Sequence, residues 1–268
     1  MIAKYAALFR VGVQSSLVYR FDTFLMLISI GVSVLLQLVL WRTVFSQSSQ
    51  PLVYGFSFQQ MVIYTLLCNV IPKVTRASFE YEMAEDVKKG GIGRFLVAPI
   101  SYFGYRLFAF LGANAVNLAL ALMVILIASQ SVAFGDVSAG PHSAHLLAFS
   151  GALGVALILN FLFFFLIGLA SFWTVEAWGV FEAARIGVLI LSGGIFPLEI
   201  FGPFWRKAFL WLPFPYAVYF PIQVITGRLE ADAILRGLLV QAVWVLVLGF
   251  AAIHLWNRGA RRLVTVGG

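Results

Sequence analysis

Four asparagines, Asn69, Asn114, Asn117 and Asn160, stand inside long apolar stretches. Polar side chains are costly at membrane depth, so they mark either a polar transport path or hydrogen bonds between helices. Both readings stay open. Asn114 and Asn117 are three residues apart and share a helix face. No relay of Asp, Glu or Arg falls in mid-stretch, which argues against a proton-driven transporter or a voltage sensor. His142 and His145 sit near Asp136, but a metal site needs further ligands. They read as solvated loop histidines. No Ser/His/Asp arrangement, HExxH run or pair of catalytic carboxylates can be picked out. Gly90-Gly91-Ile92-Gly93 matches neither phosphate-binding fingerprint, and no GxxxxGK[ST] run occurs. The chain by itself is not expected to hydrolyse ATP, and no cofactor is expected in it. A lone Cys68 excludes an intrachain disulfide and a cysteine metal centre.

The most charged segment covers residues 76–105. Its first part, RASFEYEMAEDVKK, reads as a helix from Arg76 to Lys89. Glu82, Glu85 and Asp86 precede Lys88 and Lys89, with Glu85–Lys88 and Glu85–Lys89 at helical pairing distance. Gly90-Gly91 stops the helix. Ile92, Phe95 and Leu96 then form an apolar stripe that Pro99 ends. A plain solvated connection does not need such length. A charged part beside an apolar part suits docking of a soluble partner.

The elements that must carry these residues are membrane elements. Of the 268 residues 62% are hydrophobic and only 11% are charged, against about 25% charged in an ordinary soluble domain. Mean hydropathy is +0.97. A globule of this size cannot hide that much apolar surface, so lipid must cover the rest. The predicted fold is an all-α integral membrane protein. Spans of about 20 apolar residues are placed near 22–43, 57–75, 106–130, 146–173, 183–200 and 233–256. Residues 1–20, with Tyr5, Leu8, Phe9 and Val13 near helical spacing, are expected to form an amphipathic helix on the membrane surface. The fifth span is irregular: Ser192-Gly193-Gly194 and Pro197 interrupt it. From 199 to 221 the chain stays apolar and aromatic, but its prolines exclude one continuous helix. Short helices dipping back into the outer leaflet are expected there, covered by protein or water. No cleavable signal-peptide pattern is evident, and the chain reads as one membrane domain.

Placing the N-terminus inside puts 13 of the 18 Lys and Arg residues on the cytosolic side and 5 outside. That bias sets both termini in the cytoplasm. The net charge of +7 is explained by this rule and by lipid headgroups, not by nucleic acid.

The run Asp86-Val87-Lys88-Lys89-Gly90 followed by Phe95-Leu96-Val97-Ala98-Pro99-Ile100-Ser101 resembles the first cytosolic loop of ABC type-2 exporter permeases. The small six-span branch that accompanies daunorubicin-type ATPases is the nearest likeness. Two further segments resemble the same branch. One is Tyr5, Leu8-Phe9-Arg10, Tyr19-Arg20 and Asp22. The other is Ser192-Gly193-Gly194-Ile195-Phe196-Pro197-Leu198 with Leu212-Pro213-Phe214-Pro215-Tyr216 and Tyr219-Phe220-Pro221.

The resemblance implies a permease half in the bacterial cytoplasmic membrane. Such a half pairs with a second permease subunit, identical or paralogous, and with a cytosolic ATPase dimer that binds ATP and Mg. Residues around 80–98 would hold the coupling helix, with Glu82, Glu85, Asp86, Lys88, Gly90, Phe95, Leu96 and Pro99 as ATPase-coupling residues. Residues 199–221 would be a re-entrant hairpin closing the outer end. Asn69, Gly193, Gly194, Phe196, Pro197, Phe214, Tyr216 and Tyr219 would belong to the path or outer gate. The second and fifth spans would line the dimer interface. The expected activity is ATP-driven export of an amphipathic, lipid-linked or drug-like substrate. The aromatic outer segment, including Phe204, Trp205, Trp211 and Phe220, suits such a substrate or an interfacial belt. A passive channel or carrier, an intramembrane lipid-modifying enzyme using His142, His145 and Glu199, and a structural or assembly subunit are the rival readings.

Overall fold

A computed structural model describes residues 2–18, 20–93, 95, 100–129, 143–174 and 176–266. The helices are α1 (Ile2–Val18), α2 (Arg20–Gln47), α3 (Phe58–Val74), α4 (Phe79–Lys88), α5 (Tyr102–Ser129), α6 (Ser143–Leu169), α7 (Trp178–Leu191), α8 (Gly202–Leu210), α9 (Tyr219–Ile225) and α10 (Ala231–Val266). Among the described residues the only β pairing is one isolated bridge, Val53 with Phe56.

Among the described residues, four helical stretches are long and apolar enough to cross a membrane: Leu27–Gln47, Tyr102–Met123, His145–Phe172 and Ala231–Arg261. α3 has 17 residues and α7 has 14. At 1.5 Å per residue these are about 25 and 21 Å long, against a hydrocarbon core of about 30 Å. α6 is the centre of the bundle. Within its apolar stretch 72% of residues are buried, against 11% for α2 and α10. A helix apolar all round belongs inside, and α6 supplies Phe149, Phe161, Phe165 and Leu169 to the core. α2 and α10 turn Leu35, Leu36, Val39, Leu246 and Phe250 outward, as lipid-facing helices do.

Side-chain contacts fix the helix directions. α2 and α3 run antiparallel: Lys73 Nζ donates to Ser29 Oγ at 2.7 Å, Asn69 Nδ2 to Gln37 Oε1 at 3.3 Å, and Phe45 meets Phe58. α6 and α10 run parallel: Gln241 Nε2 donates to Ala152 O at 3.0 Å, Trp256 meets Phe165, and Gly259 lies on Phe172. α1 packs along the start of α5. Tyr5 stacks on Phe108 at 4.8 Å, and Gly12 lies against Ala109, Gly112 and Ala113 so closely that no Cβ fits. Small residues permit such backbone approach.

Helix boundaries follow local chemistry. Ser57 and Gln60 cap α3 reciprocally in a capping box. α4 starts at Phe79, three residues inside the expected helix, and ends before Gly90, which takes φ +71°. α5 begins at Tyr102, so Arg106 lies inside it. The largest difference concerns the fifth apolar segment. Expected over 183–200, its helix instead covers Trp178–Leu191. It starts early and thereby includes Glu182 as well as Arg185. It stops early because Gly193 turns at φ +74°, which ends a right-handed helix. Beyond it come a 3-10 turn at Leu198–Phe201, then α8, a second 3-10 turn at Phe214–Ala217, and α9.

Candidate functional site

The joint between α3 and α4 is held by three other helices. Buried polar groups of the backbone and of Thr75 beyond the end of α3 need partners, and here side chains supply them. Asn114 on α5 donates from Nδ2 to Arg76 O at 3.3 Å and to Phe110 O at 3.0 Å. Asn160 on α6 donates to Thr75 Oγ1 at 3.0 Å. Arg185 on α7 donates to Ala77 O at 3.2 Å and forms an ion pair with Glu80 on α4. Thus residues 75–80 are gripped by α5, α6 and α7 together.

Arg106 provides the second grip on α4. Its guanidinium pairs with Glu82, donates to Asp86 Oδ2 at 2.7 Å and donates from Nε to Tyr102 Oη at 2.9 Å. Tyr102 Oη in turn donates to Asp86 Oδ2 at 2.8 Å. The ring of Tyr102 stacks on Trp256 of α10 at 5.0 Å, and Phe95 meets it edge-on at 4.9 Å. Tyr81 donates to Glu182 at the start of α7.

Glu80 is fully buried. Burial pushes its carboxyl above the usual carboxylate range, while Arg185 pulls it back. Its Oε2 has no hydrogen-bond partner. A buried pair of this kind costs about 3–5 kcal/mol to break from one side, because the remaining charge is stranded. The pair therefore fixes where α4 sits.

Behind this joint lies a cavity of about 850 Å³, lined by residues of α1, α2, α3, α5, α6 and α7. Its polar wall is Lys73, Arg76, Asn114, Asn117, Asn160 and Arg185, and Ser192 and Val218 also line it. The asparagines therefore do both things their types allow. Asn114 and Asn160 bond between elements, and with Asn117 they line the cavity. Asn69 does not join them. It donates to Gln37 Oε1 and Thr65 O, linking α3 to α2.

The expected coupling residues divide by exposure. Glu82, Glu85, Lys88 and Gly90 are exposed on α4 and its end, Glu82 paired with Arg106 and Glu85 with the neighbouring Lys89. Asp86 is half-buried on Arg106. Phe95 faces inward onto Tyr102 and Tyr105, and Ile92 is fully buried, so this part of the apolar stripe anchors the loop to α5. Leu96 and Pro99 lie outside the described residues, as do Asp136 and His142.

The residues expected at the path or outer gate gather around the break after α7. Tyr64 Oη donates to Gly193 O at 2.7 Å, and Tyr219 N donates to Ser192 O at 3.0 Å. Gly193 and Gly194 are buried, Phe196 meets Trp41 edge-on, and Pro197 is buried beside them. Phe214 reaches Phe163 of α6 at 5.0 Å, and Tyr216 Oη donates to Leu210 O at 3.2 Å. Tyr219 Oη donates to Glu199 Oε1 at 2.7 Å. Among the described residues no group of three His, Cys, Asp or Glu could hold a metal ion.

Sequence reasoning missed Glu80, Tyr102, Arg106, Glu182 and Arg185 as functional positions. A signal existed: Arg106 and Arg185 are the basic residues nearest the apolar interiors of their helices, and α4 carries a surplus of carboxylates. The pairing itself, between residues 105 apart for Glu80 and Arg185, is not local information.

A helical bundle with lipid-facing helices, a polar-walled cavity and a clamped loop helix defines a membrane transport domain. The chain matches the family model described as ABC-2 family transporter protein over residues 32–267, and it belongs to that family. No curated protein and no solved structure matches it.

Proposed function

We propose that the chain is the permease subunit of an ATP-driven ABC exporter with six crossings and both termini in the cytoplasm of a bacterial cell. The observation that carries this reading is the double clamp on α4. Arg185 both holds Glu80 of α4 and lines the cavity. Any force on α4 therefore reaches the cavity wall, and through Asn114, Asn160 and Arg106 it reaches α5 and α6 as well. The exposed face with Glu82, Glu85, Lys88, Lys89 and Gly90 is the surface offered to a cytosolic ATPase dimer that binds ATP and Mg.

ATP-driven closure of that dimer moves α4, and the cavity shifts from an inward-open to an outward-open or closed form. The segment 199–221 closes the outer end. The mixed polar and aromatic surroundings of the path suit an amphipathic, lipid-linked or drug-like substrate. In place of the second and fifth spans expected at the dimer interface, a second permease copy or paralogue covers the exposed apolar faces of α2 and α7, since α3 is largely buried within its own subunit.

The test uses the permease co-expressed with its ATPase and reconstituted in vesicles. Glu85→Lys is expected to weaken ATPase association or uncouple hydrolysis from transport, with the helical bundle intact. Transport by the permease alone without ATP would sink the reading and leave the passive carrier.

A further inference from the structure

A second pocket, of about 290 Å³, lies at the other end of the bundle from α4. Gly259 of α10 packs on Phe172 near α4, whereas Gly237 packs on Phe220 beside this pocket. Those glycines are about 33 Å apart along the helix at 1.5 Å per residue. Three guanidinium groups line the pocket, Arg206, Arg228 and Arg236, with a single carboxylate, Glu199. The lining therefore carries a net charge of two positives. Asp232, one turn before Arg236 and exposed, does not line it.

The hydrogen-bonding of this pocket is incomplete in a specific way. Glu199 Oε1 accepts from Tyr219 Oη at 2.7 Å and from Gln223 Nε2 at 3.2 Å, and Arg206 Nε lies 3.8 Å away. Arg228 places its guanidinium 3.6 Å from the centre of the Phe56 ring and donates from Nη2 to Gly55 O at 3.1 Å. Arg228 Nη1, Glu199 Oε2 and Gln223 Oε1 are buried without a partner, and Gln223 is only 4% exposed. Burial also pulls Arg228 down from its ordinary value, so a counter-charge would favour it. One donor cation and two acceptors thus go unpaired on residues that line one cavity.

A ligand that completes the set must bring an anion for Arg228 and Arg236 and a hydrogen-bond donor for Glu199 and Gln223. We infer that this pocket binds a phosphate ester carrying an amine, the chemistry of a phosphoethanolamine group. Arginine is the side chain best matched to phosphate oxygens. The ammonium supplies the donor, and Glu199 supplies its charge partner. The surroundings favour a lipid as the source. Leu235, Leu239, Val243 and Leu246 are exposed on α10 next to Arg236, a continuous apolar face for acyl chains below a headgroup. Arginines that merely snorkel to the membrane surface would accept any phospholipid, and water bridging Arg228 to Glu199 would need no ligand.

These readings separate in one experiment that needs no ATPase. The full chain is purified in detergent, delipidated and titrated with short-chain phosphatidylethanolamine, short-chain phosphatidylcholine and soluble O-phosphoethanolamine. Phosphatidylethanolamine is expected to bind about tenfold tighter than phosphatidylcholine, whose quaternary ammonium donates no N–H bond. Arg228→Gln should lower that affinity about tenfold, and Gln223→Leu should remove the discrimination between the lipids. Arg236→Gln, at an exposed position, gives the same direction of change if a buried variant fails to fold. Binding of both phosphoethanolamine forms assigns the site to soluble esters as well, and binding of the lipid alone assigns it to the bilayer. Equal binding of the two lipids, or no binding of either phosphoethanolamine form, overturns the proposal.

Discussion

The two ends of the bundle treat their arginines in opposite ways. At the α4 end, Arg106 and Arg185 direct their donors to Glu82, Asp86, Tyr102, Glu80 and Ala77 O, and the groups close on one another. Among the described residues of that clamp, Glu80 Oε2 is the one buried side-chain atom without a partner. At the other end Arg228, Glu199 and Gln223 each keep a buried atom unpaired around a cavity. A closed set of charges locks elements in register, whereas an open set is arranged for something that arrives from outside. On the two readings proposed above, the clamp serves mechanics and the far pocket recognition.

Arg185→Ala should break the clamp most severely. It strands the fully buried Glu80, and a loss of about 3–5 kcal/mol is expected in thermal unfolding of the purified protein. The paired change Glu80→Gln with Arg185→Gln should recover most of that loss. A small effect of the single variant would show that the clamp is not what holds α4.

Gly193→Ala comes next. The left-handed φ of +74° and the Tyr64 hydroxyl, 2.8 Å from where a Cβ would stand, predict a loss of about 2 kcal/mol. The same measurement reads it.

Glu80→Gln tests the clamp through pH. The folded carboxyl titrates above its unfolded value, so the native state holds the proton longer. Stability of the natural chain should therefore fall as pH rises from the ordinary carboxylate range to the raised folded value. The variant should lose that slope, and an unchanged pH profile would remove Glu80 from the argument.

Arg228→Gln should cost only about 1 kcal/mol, since it loses a ring contact and one hydrogen bond but strands no close-paired charge. Its main effect should fall on headgroup binding. A loss as large as that of Arg185→Ala would erase the contrast between the two ends.

The smallest effect on stability belongs to exchanging Glu85 and Lys89, as Glu85→Lys with Lys89→Glu. The pair is solvent-exposed, and surface pairs contribute little, so the melting temperature should stay unchanged. Association with the ATPase should nevertheless weaken. Unaltered association would remove this face from the coupling surface.

Much of the fold was legible in residue order. The apolar stretches placed α2, α3, α5 and α6 within about four residues, because a length of apolar chain is a local property; α10 starts near its expected place but runs on to Val266, ten residues past the expected end at 256. The Glu85–Lys89 pair and the stop at Gly90 were legible for the same reason. The start of α7 was not. Glu182 and Arg185 look like flanking charges in sequence, yet they lie inside the helix because α4 supplies Tyr81 and Glu80 as partners. Phe95 was expected on a docking stripe, but the aromatic rings of Tyr102 and Tyr105 give it a place inside.

By itself the sequence determined that this protein lives in a membrane, that it is helical, and that its charged loop and its Gly-Gly break are exceptional. It also carried the resemblance that the family assignment over residues 32–267 upholds. Only the tertiary structure decided which asparagines face the cavity, which arginine meets Glu80, Glu82 and Asp86 of α4, and which arginines keep an open donor. Hydropathy and helix stops act over a few neighbouring residues. An ion pair such as Glu80–Arg185 exists only after the intervening helices have packed, and nothing along the chain encodes it separately.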